Sequence, residues 1–201
     1  MHYQVMERGS LAARRDFDLL PRRHDIAVQP AQATELPMLA EIANRLVPGV
    51  RMSEADLLRY FNLVPDSILT FNRNHKLLGA VAFIYLNARG YRALIFDEID
   101  LTRPDVRFIA ASSEQVSAIY VWAIAGRGRA MAGLGNVSSL LSDQRLAAAD
   151  LYAQPSSADG RNLMIAIGFE PFLSFQRELW RYQRPWNRMP SKAGAMTSSR
   201  N

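Results

Sequence analysis

Residues 116–135 read VSAIYVWAIAGRGRAMAGLG, and the fold of the chain turns on how that stretch is parsed. Val116 to Ile124 is rich in β-branched and aromatic residues and predicts the strongest strand of the sequence. It runs directly into a Gly/Arg-rich turn, after which Met131, Leu134, Val137 and Leu141 recur at helical spacing. Strand, turn and amphipathic helix together make an anion site. The first N–H groups of such a helix lack internal partners, its dipole is positive there, and small residues let a phosphate approach the main chain. Arg127 and Arg129 add positive charge. Without that role, the glycines only make a tight turn and the arginines are solvated.

Upstream, Ile26 to Gln29 predicts a strand. Thr34 suits an N-cap before Leu36, Leu39, Ala43 and Leu46, and Pro48-Gly49 ends that helix. Ser53-Glu54-Ala55-Asp56 resembles a capping box for a second short helix that ends before Pro65. Ser67 to Asn72 and Lys76 to Leu86 flank Arg73-Asn74-His75 as a β-hairpin. Tyr91 to Leu101 predicts a strand, and Pro104 to Glu114 a loop or short helix. Downstream, Asp150 to Gln154 predicts a strand, Pro155 to Asp159 a loop, and Arg161 to Ile167 a short helix closed by Gly168 at C′. Phe169 to Phe172 and Phe175 to Tyr182 form a final extended pair.

The 201 residues, 49% hydrophobic and 21% charged, suit one domain with a real core. We expect a domain at 25–184 between an N-terminal extension at 1–24 and a flexible basic tail at 185–201. Leu77 to Leu86 is the longest apolar run, too short for a membrane span, and the opening MHYQVMERGS lacks the apolar centre of a signal peptide, so a cytoplasmic protein without membrane association is expected. Cysteine is absent, which removes disulfides, thiolate metal sites and cysteine nucleophiles, and three scattered histidines give no reason to expect a metal. The net charge of +5 is concentrated at the two ends of the chain, while residues 25–176 carry about −2. That distribution argues against nucleic acid as the partner, although a basic-tailed nucleic-acid binder is a rival with its own test in salt dependence.

Two phosphate folds compete for the turn. The dinucleotide fingerprint begins at Gly126 and Gly128 but finds Met131 where glycine or alanine is required, and more than 100 residues precede it. The order strand, helix, helix, hairpin, strong strand, phosphate turn, helix, strand, helix, Gly-Phe, strand instead resembles the GNAT superfamily of acyl-CoA-dependent N-acyltransferases, over roughly residues 25–184. That family's pyrophosphate turn has Gln or Arg, two residues, Gly or Ala, one residue, then Gly or Ala. Arg127-Gly128-Arg129-Ala130-Met131-Ala132 satisfies it, 36 residues before Gly168-Phe169-Glu170. The fold implied is α+β, a mixed, largely antiparallel twisted sheet flanked by helices.

The resemblance implies that acetyl-CoA, or another acyl-CoA, is the cosubstrate and an amine, small molecule or protein, the acceptor. The pantetheine arm would lie along Trp122-Ala123-Ile124, and the pyrophosphate on residues 127 to 132. The family's asparagine after the penultimate strand aligns with Ser157, with Asn162 as the alternative in a shifted loop. Its frequent tyrosine acid aligns with Met164, which cannot donate a proton. Tyr152 is the substitute donor to consider, against a packing role, and Glu114 or Glu98 within the acidic FDEID segment are candidate bases or acceptor contacts. Because Met164 replaces the acid, a non-catalytic acyl-CoA-binding or regulatory domain is the alternative. The segment with Phe175, Leu179 and Trp180 suggests pairing with a second copy.

Overall fold

The computed structural model describes residues 25–47, 53–126 and 128–184; the N-terminal extension, the basic tail and the Pro48-Gly49 helix stop lie outside the described residues. Asn74 and His75 both take positive φ, 49° and 61°, the pair of left-handed residues that a type I′ turn requires. They close the predicted hairpin between β2 (Ile68–Arg73) and β3 (Lys76–Leu86). The remaining strands are β1 (Ala27–Pro30), β4 (Ala118–Gly126), β5 (Asp150–Ala153), β6 (Glu170–Pro171) and β7 (Trp180–Tyr182). They form one seven-stranded sheet in the order β1-β2-β3-β4-β5-β7-β6, antiparallel throughout except for the parallel pair β4 and β5. The architecture is the expected α+β arrangement.

Among the described residues five helices flank the sheet: α1 (Leu36–Leu46), α2 (Glu54–Leu63), α3 (Ala88–Ile95), α4 (Leu134–Leu140) and α5 (Ala158–Ala166). α2 starts as its sequence predicts, Ser53 Oγ accepting from the Asp56 N–H at 3.1 Å. α1 does not start at a Thr34 cap. A 3-10 turn, Ala33–Glu35, precedes it, and the Glu35 carboxylate reaches back to the Gln32 N–H at 2.8 Å. The expected strand from Tyr91 to Leu101 is instead the second half of α3 followed by turns from Phe96 onward. Asn87 caps α3 by accepting from the Gly90 N–H at 2.9 Å, and Gly90, Ala93 and Leu94 are its buried positions, a helical period too short to stand out in the sequence. α5 begins at Ala158, earlier than expected, because Ser157 serves as its N-cap and accepts from the Gly160 N–H at 3.0 Å. Gly168, with φ 94°, closes it as predicted.

After β4 the chain forms a 3-10 stretch, Gly128–Gly133, before α4, so the helix expected from Met131 is tighter over its first part. Gly133 is required there: a Cβ on it would fall 2.7 Å from the Phe71 ring, and glycine lets this turn lie directly on β2. Leu134, Val137 and Leu141 then bury the predicted face against the sheet core of Phe71, Phe83, Ile84 and Ile119. Arg145 ties the α4–β5 connection to the segment before β4, its guanidinium donating to the carbonyls of Ala110, Ala111 and Glu114 at 3.0–3.1 Å. Among the described residues no helix is long and apolar enough to cross a membrane.

Candidate functional site

β4 is nine residues long and β5 four, and they pair only through Ala118 with Asp150, Ile119 with Leu151 and Tyr120 with Tyr152. Beyond Tyr120 the two strands part. On its other edge β4 stays paired to β3 as far as Gly126, with one irregularity: Ala82 faces Ala123 and Phe83 faces Val121, leaving Trp122 as the extra residue of a bulge. The main chain of β4 from Val121 onward therefore loses its strand partner on the β5 side, at a place where bulge and splay coincide. Backbone polar groups rarely stay unsatisfied when buried, so such an edge calls for water or a ligand.

A cleft of about 590 Å³ occupies the splay. Its β4 wall is Val121 to Ile124, continued by Gly126 and Gly128. The opposite wall is the β5–α5 connection and α5 itself, with Gln154, Ser157, Leu163 and Met164. Val81, Phe83, Leu134, Ile167 and Phe169 form the floor, each no more than 5% exposed. Among the described lining residues Asp159 is the single titratable side chain, and it is exposed, in the first turn of α5.

Of the residues proposed from sequence, Trp122, Ala123, Ile124, Gly128, Met131 and Ser157 line this cleft. Ala130 is buried, its methyl group 3.2 Å from where a Cβ on Gly126 would fall, and Ala132 packs on the core. Arg127 lies outside the described residues, as does the side chain of Arg129. Asn162 is exposed on α5, away from the described lining, whereas Ser157 lines the cleft with its hydroxyl engaged as the helix cap. Glu98 and Glu114 are also exposed and away from it; the Glu114 carboxylate accepts from the Ala111 N–H at 3.2 Å.

Tyr152 is 2% exposed, does not line the cleft, and its hydroxyl bonds that of Tyr91 at 3.1 Å. Burial, then the Tyr91 hydrogen bond, push its phenol well above the usual range. Its ring packs between those of Tyr91 and Phe172. We expect Tyr152→Phe to lower stability by about 1 kcal/mol, the net worth of one hydrogen bond, and, for the acyl transfer that the sequence resemblance implies, to leave turnover within about threefold. A tenfold fall in turnover at unchanged stability would put this hydroxyl in the chemistry.

Gln154 escaped the sequence reading. It follows β5 directly, its Oε1 accepts from the Tyr120 hydroxyl at 2.9 Å, and its amide donates to the Arg177 carbonyl at 2.6 Å. The side chain thus bridges β4 to the β6–β7 connection at the vertex of the splay. No local pattern announces it, since both partners are distant in sequence. Burial raises the Tyr120 phenol too, keeping it a neutral donor to Gln154.

No protein-family model matches the chain, and a search of the curated proteins finds no match. Solved structures do match. The yncA protein of Salmonella typhimurium, solved with its cofactor acetyl-CoA, superimposes with a TM-score of 0.50 at 14% identity, over 84% of this chain and 99% of that one. The aminoglycoside acetyltransferase AAC(6')-Ib, solved with coenzyme A, gives 0.48 at 17% identity over 83% and 99%. The loading GNATL domain of CurA from Lyngbya majuscula gives 0.49 at 11% identity, and the chain spans 64% of its length. Sheet order, the parallel pair at the splay and the superposition on yncA agree: the chain has the fold of the GNAT acetyltransferases.

Proposed function

We propose that the chain binds an acyl-CoA in the splay between β4 and β5 and transfers its acyl group to an amine. The observation that carries this reading is the parting of the two strands after three residue pairs, which exposes a row of main-chain donors and acceptors along a cleft of ligand size. The residues fit such a group. A thin, amide-bearing arm satisfies backbone N–H and C=O groups without needing side chains. Gly126 and Gly128 leave the mouth open beside the Gly/Arg turn, and a Cβ on Gly128 would meet nothing within 4 Å.

The chemistry follows from what lines the cleft. The acceptor nitrogen attacks the thioester carbonyl carbon, the C–N bond forms and the C–S bond breaks. One proton leaves the nitrogen and one reaches the sulfur, giving amide and free thiol. Main-chain N–H groups of β4 at the bulge are the donors available to the oxyanion. With Asp159 exposed at the mouth and no other titratable side chain among the described lining residues, water carries the proton.

The same feature favours a second reading, in which the domain binds acyl-CoA without turnover: Met164, 6% exposed, lines the cleft and stands at the position where the resemblance implies a proton donor. Calorimetry with acetyl-CoA, followed by a thiol-release assay over small amines, aminoglycosides and lysine or N-terminal peptides, separates the two. We expect micromolar binding, thermal stabilisation by mass action, and release of free thiol with at least one acceptor class. Binding without thiol release in every class selects the second reading, and absence of binding removes both.

A further inference from the structure

The cleft grades from a polar mouth to an apolar floor. Asp159, Ser156 and Gly128 are exposed at its rim, whereas Val81, Phe83, Leu134, Ile167 and Phe169 at its base, and Met164 on its wall, are each at most 6% exposed. No charged side chain among the described residues lines that base. We propose that the acyl group this site selects is an uncharged hydrocarbon chain longer than acetyl, of about four to eight carbons, whose tail lies on this floor; the proposal rests on the acyl-CoA reading above.

Three physical points support it. First, a two-carbon acyl group adds one methyl to the buried end of the ligand, whereas each further methylene removed from water onto an apolar wall is worth about fourfold in affinity. Second, Met164 occupies the wall with an unbranched, three-torsion thioether side chain, the kind that repacks around tails of different length. Third, an acidic acyl group such as succinyl would bury a carboxylate on a floor of Val81, Phe83, Leu134, Ile167 and Phe169, none of which carries a cation or a hydrogen-bond donor in its side chain, so the site discriminates against charge as well as for length.

The test is a series on the native protein: dissociation constants for CoA, acetyl-, butyryl-, hexanoyl- and succinyl-CoA by calorimetry. Hexanoyl-CoA is expected to bind at least tenfold tighter than acetyl-CoA, with butyryl-CoA between them and succinyl-CoA weaker than butyryl-CoA. A flat or falling series among CoA species that do bind overturns the chain-length proposal and leaves the acyl-CoA reading standing; no binding by any species removes both. Met164→Phe, which stiffens the wall and takes up space beside the floor, should cut the hexanoyl-to-acetyl ratio at least threefold. An unchanged ratio in a variant that melts like its parent would overturn the placement of the tail, and the native series decides the length preference if the variant does not fold.

Discussion

Arg184→Met is expected to lower the unfolding free energy by about 3–5 kcal/mol, the largest single-residue loss we anticipate outside the apolar core. Arg184 is fully buried. Its guanidinium donates to the Leu141 carbonyl at 2.8 Å and to the Leu146 carbonyl at 2.7 Å, while its own N–H donates to Asp150 Oδ1 at 2.9 Å. Leu141 is the C-cap of α4, so a cation sits where the helix ends with unsatisfied carbonyls and the negative pole of its dipole. A buried charge is often dispensable when all its partners can be made apolar together. Here the partners are main-chain carbonyls, which no substitution removes, and each one orphaned in a dry interior costs about 1–3 kcal/mol. Arg184→Lys should lose less than Arg184→Met, since an ammonium keeps the charge but not the fork that reaches two carbonyls at once. Urea unfolding with midpoint and slope checks this, and a loss below about 1 kcal/mol for Arg184→Met would mean that water replaces the guanidinium at both carbonyls.

The second large effect is on ligand affinity. Gly128→Asp is expected to bind acyl-CoA at least tenfold more weakly than Gly128→Asn, a difference of about 1.4 kcal/mol or more. The pair isolates charge. Gly128 has φ 54°, a conformation that asparagine and aspartate enter more readily than other side-chain-bearing residues, and a Cβ there meets nothing within 4 Å, so the two variants differ little in fold or strain. They differ by one carboxylate at the mouth of the cleft, beside the turn proposed to hold the pyrophosphate. Because that mouth is exposed, the difference should shrink as salt is raised. Equal affinities at low salt would remove the phosphate assignment of this turn.

Much of the fold was legible because its signals are local. The Asn74-His75 turn, the β-branched run of β4, the Ser53 cap and Gly168 each act through neighbours within a few residues, and the structure places each as read, although the Asp56 carboxylate takes the Ser53 hydroxyl rather than its N–H and so does not complete a capping box. α3 was misread because Tyr91, Ala93, Leu94, Ile95 and Phe96 make a short, nearly continuous apolar run, which does not separate a period of 3.6 from one of 2. Arg184 was hidden by its company: among five other basic residues near the carboxy end it reads as one more solvated charge, and only the approach of Leu141 and Leu146 makes it structural. The candidate site was half legible. The turn and the strand leading to it announce themselves, but Gln154 depends on partners 34 and 23 residues away, and the acidic candidates were favoured by a local acidic cluster at Glu98 and by the place of Glu114 just before the strong strand, neither of which says which way a surface points.

The parting of β4 from β5 also gives this protein a sheet edge in its interior. Exposed edges invite a strand from another molecule, and proteins usually blunt them with charge, proline or a bulge. The only break in the β4 run is the bulge at Trp122, and no charged residue interrupts Val121 to Gly126. Its guard is architectural instead. α5 presents Gly160, Leu163 and Met164 to the same space, joined by Ile167 at its C-cap, so the far side of the edge faces a helix rather than solvent. A second pleated strand, with side chains projecting from both faces, would have to displace that helix, whereas a slender chain slips beneath it. The same placement that would reserve the edge for the proposed ligand thus shields the protein from polymerising through its own backbone.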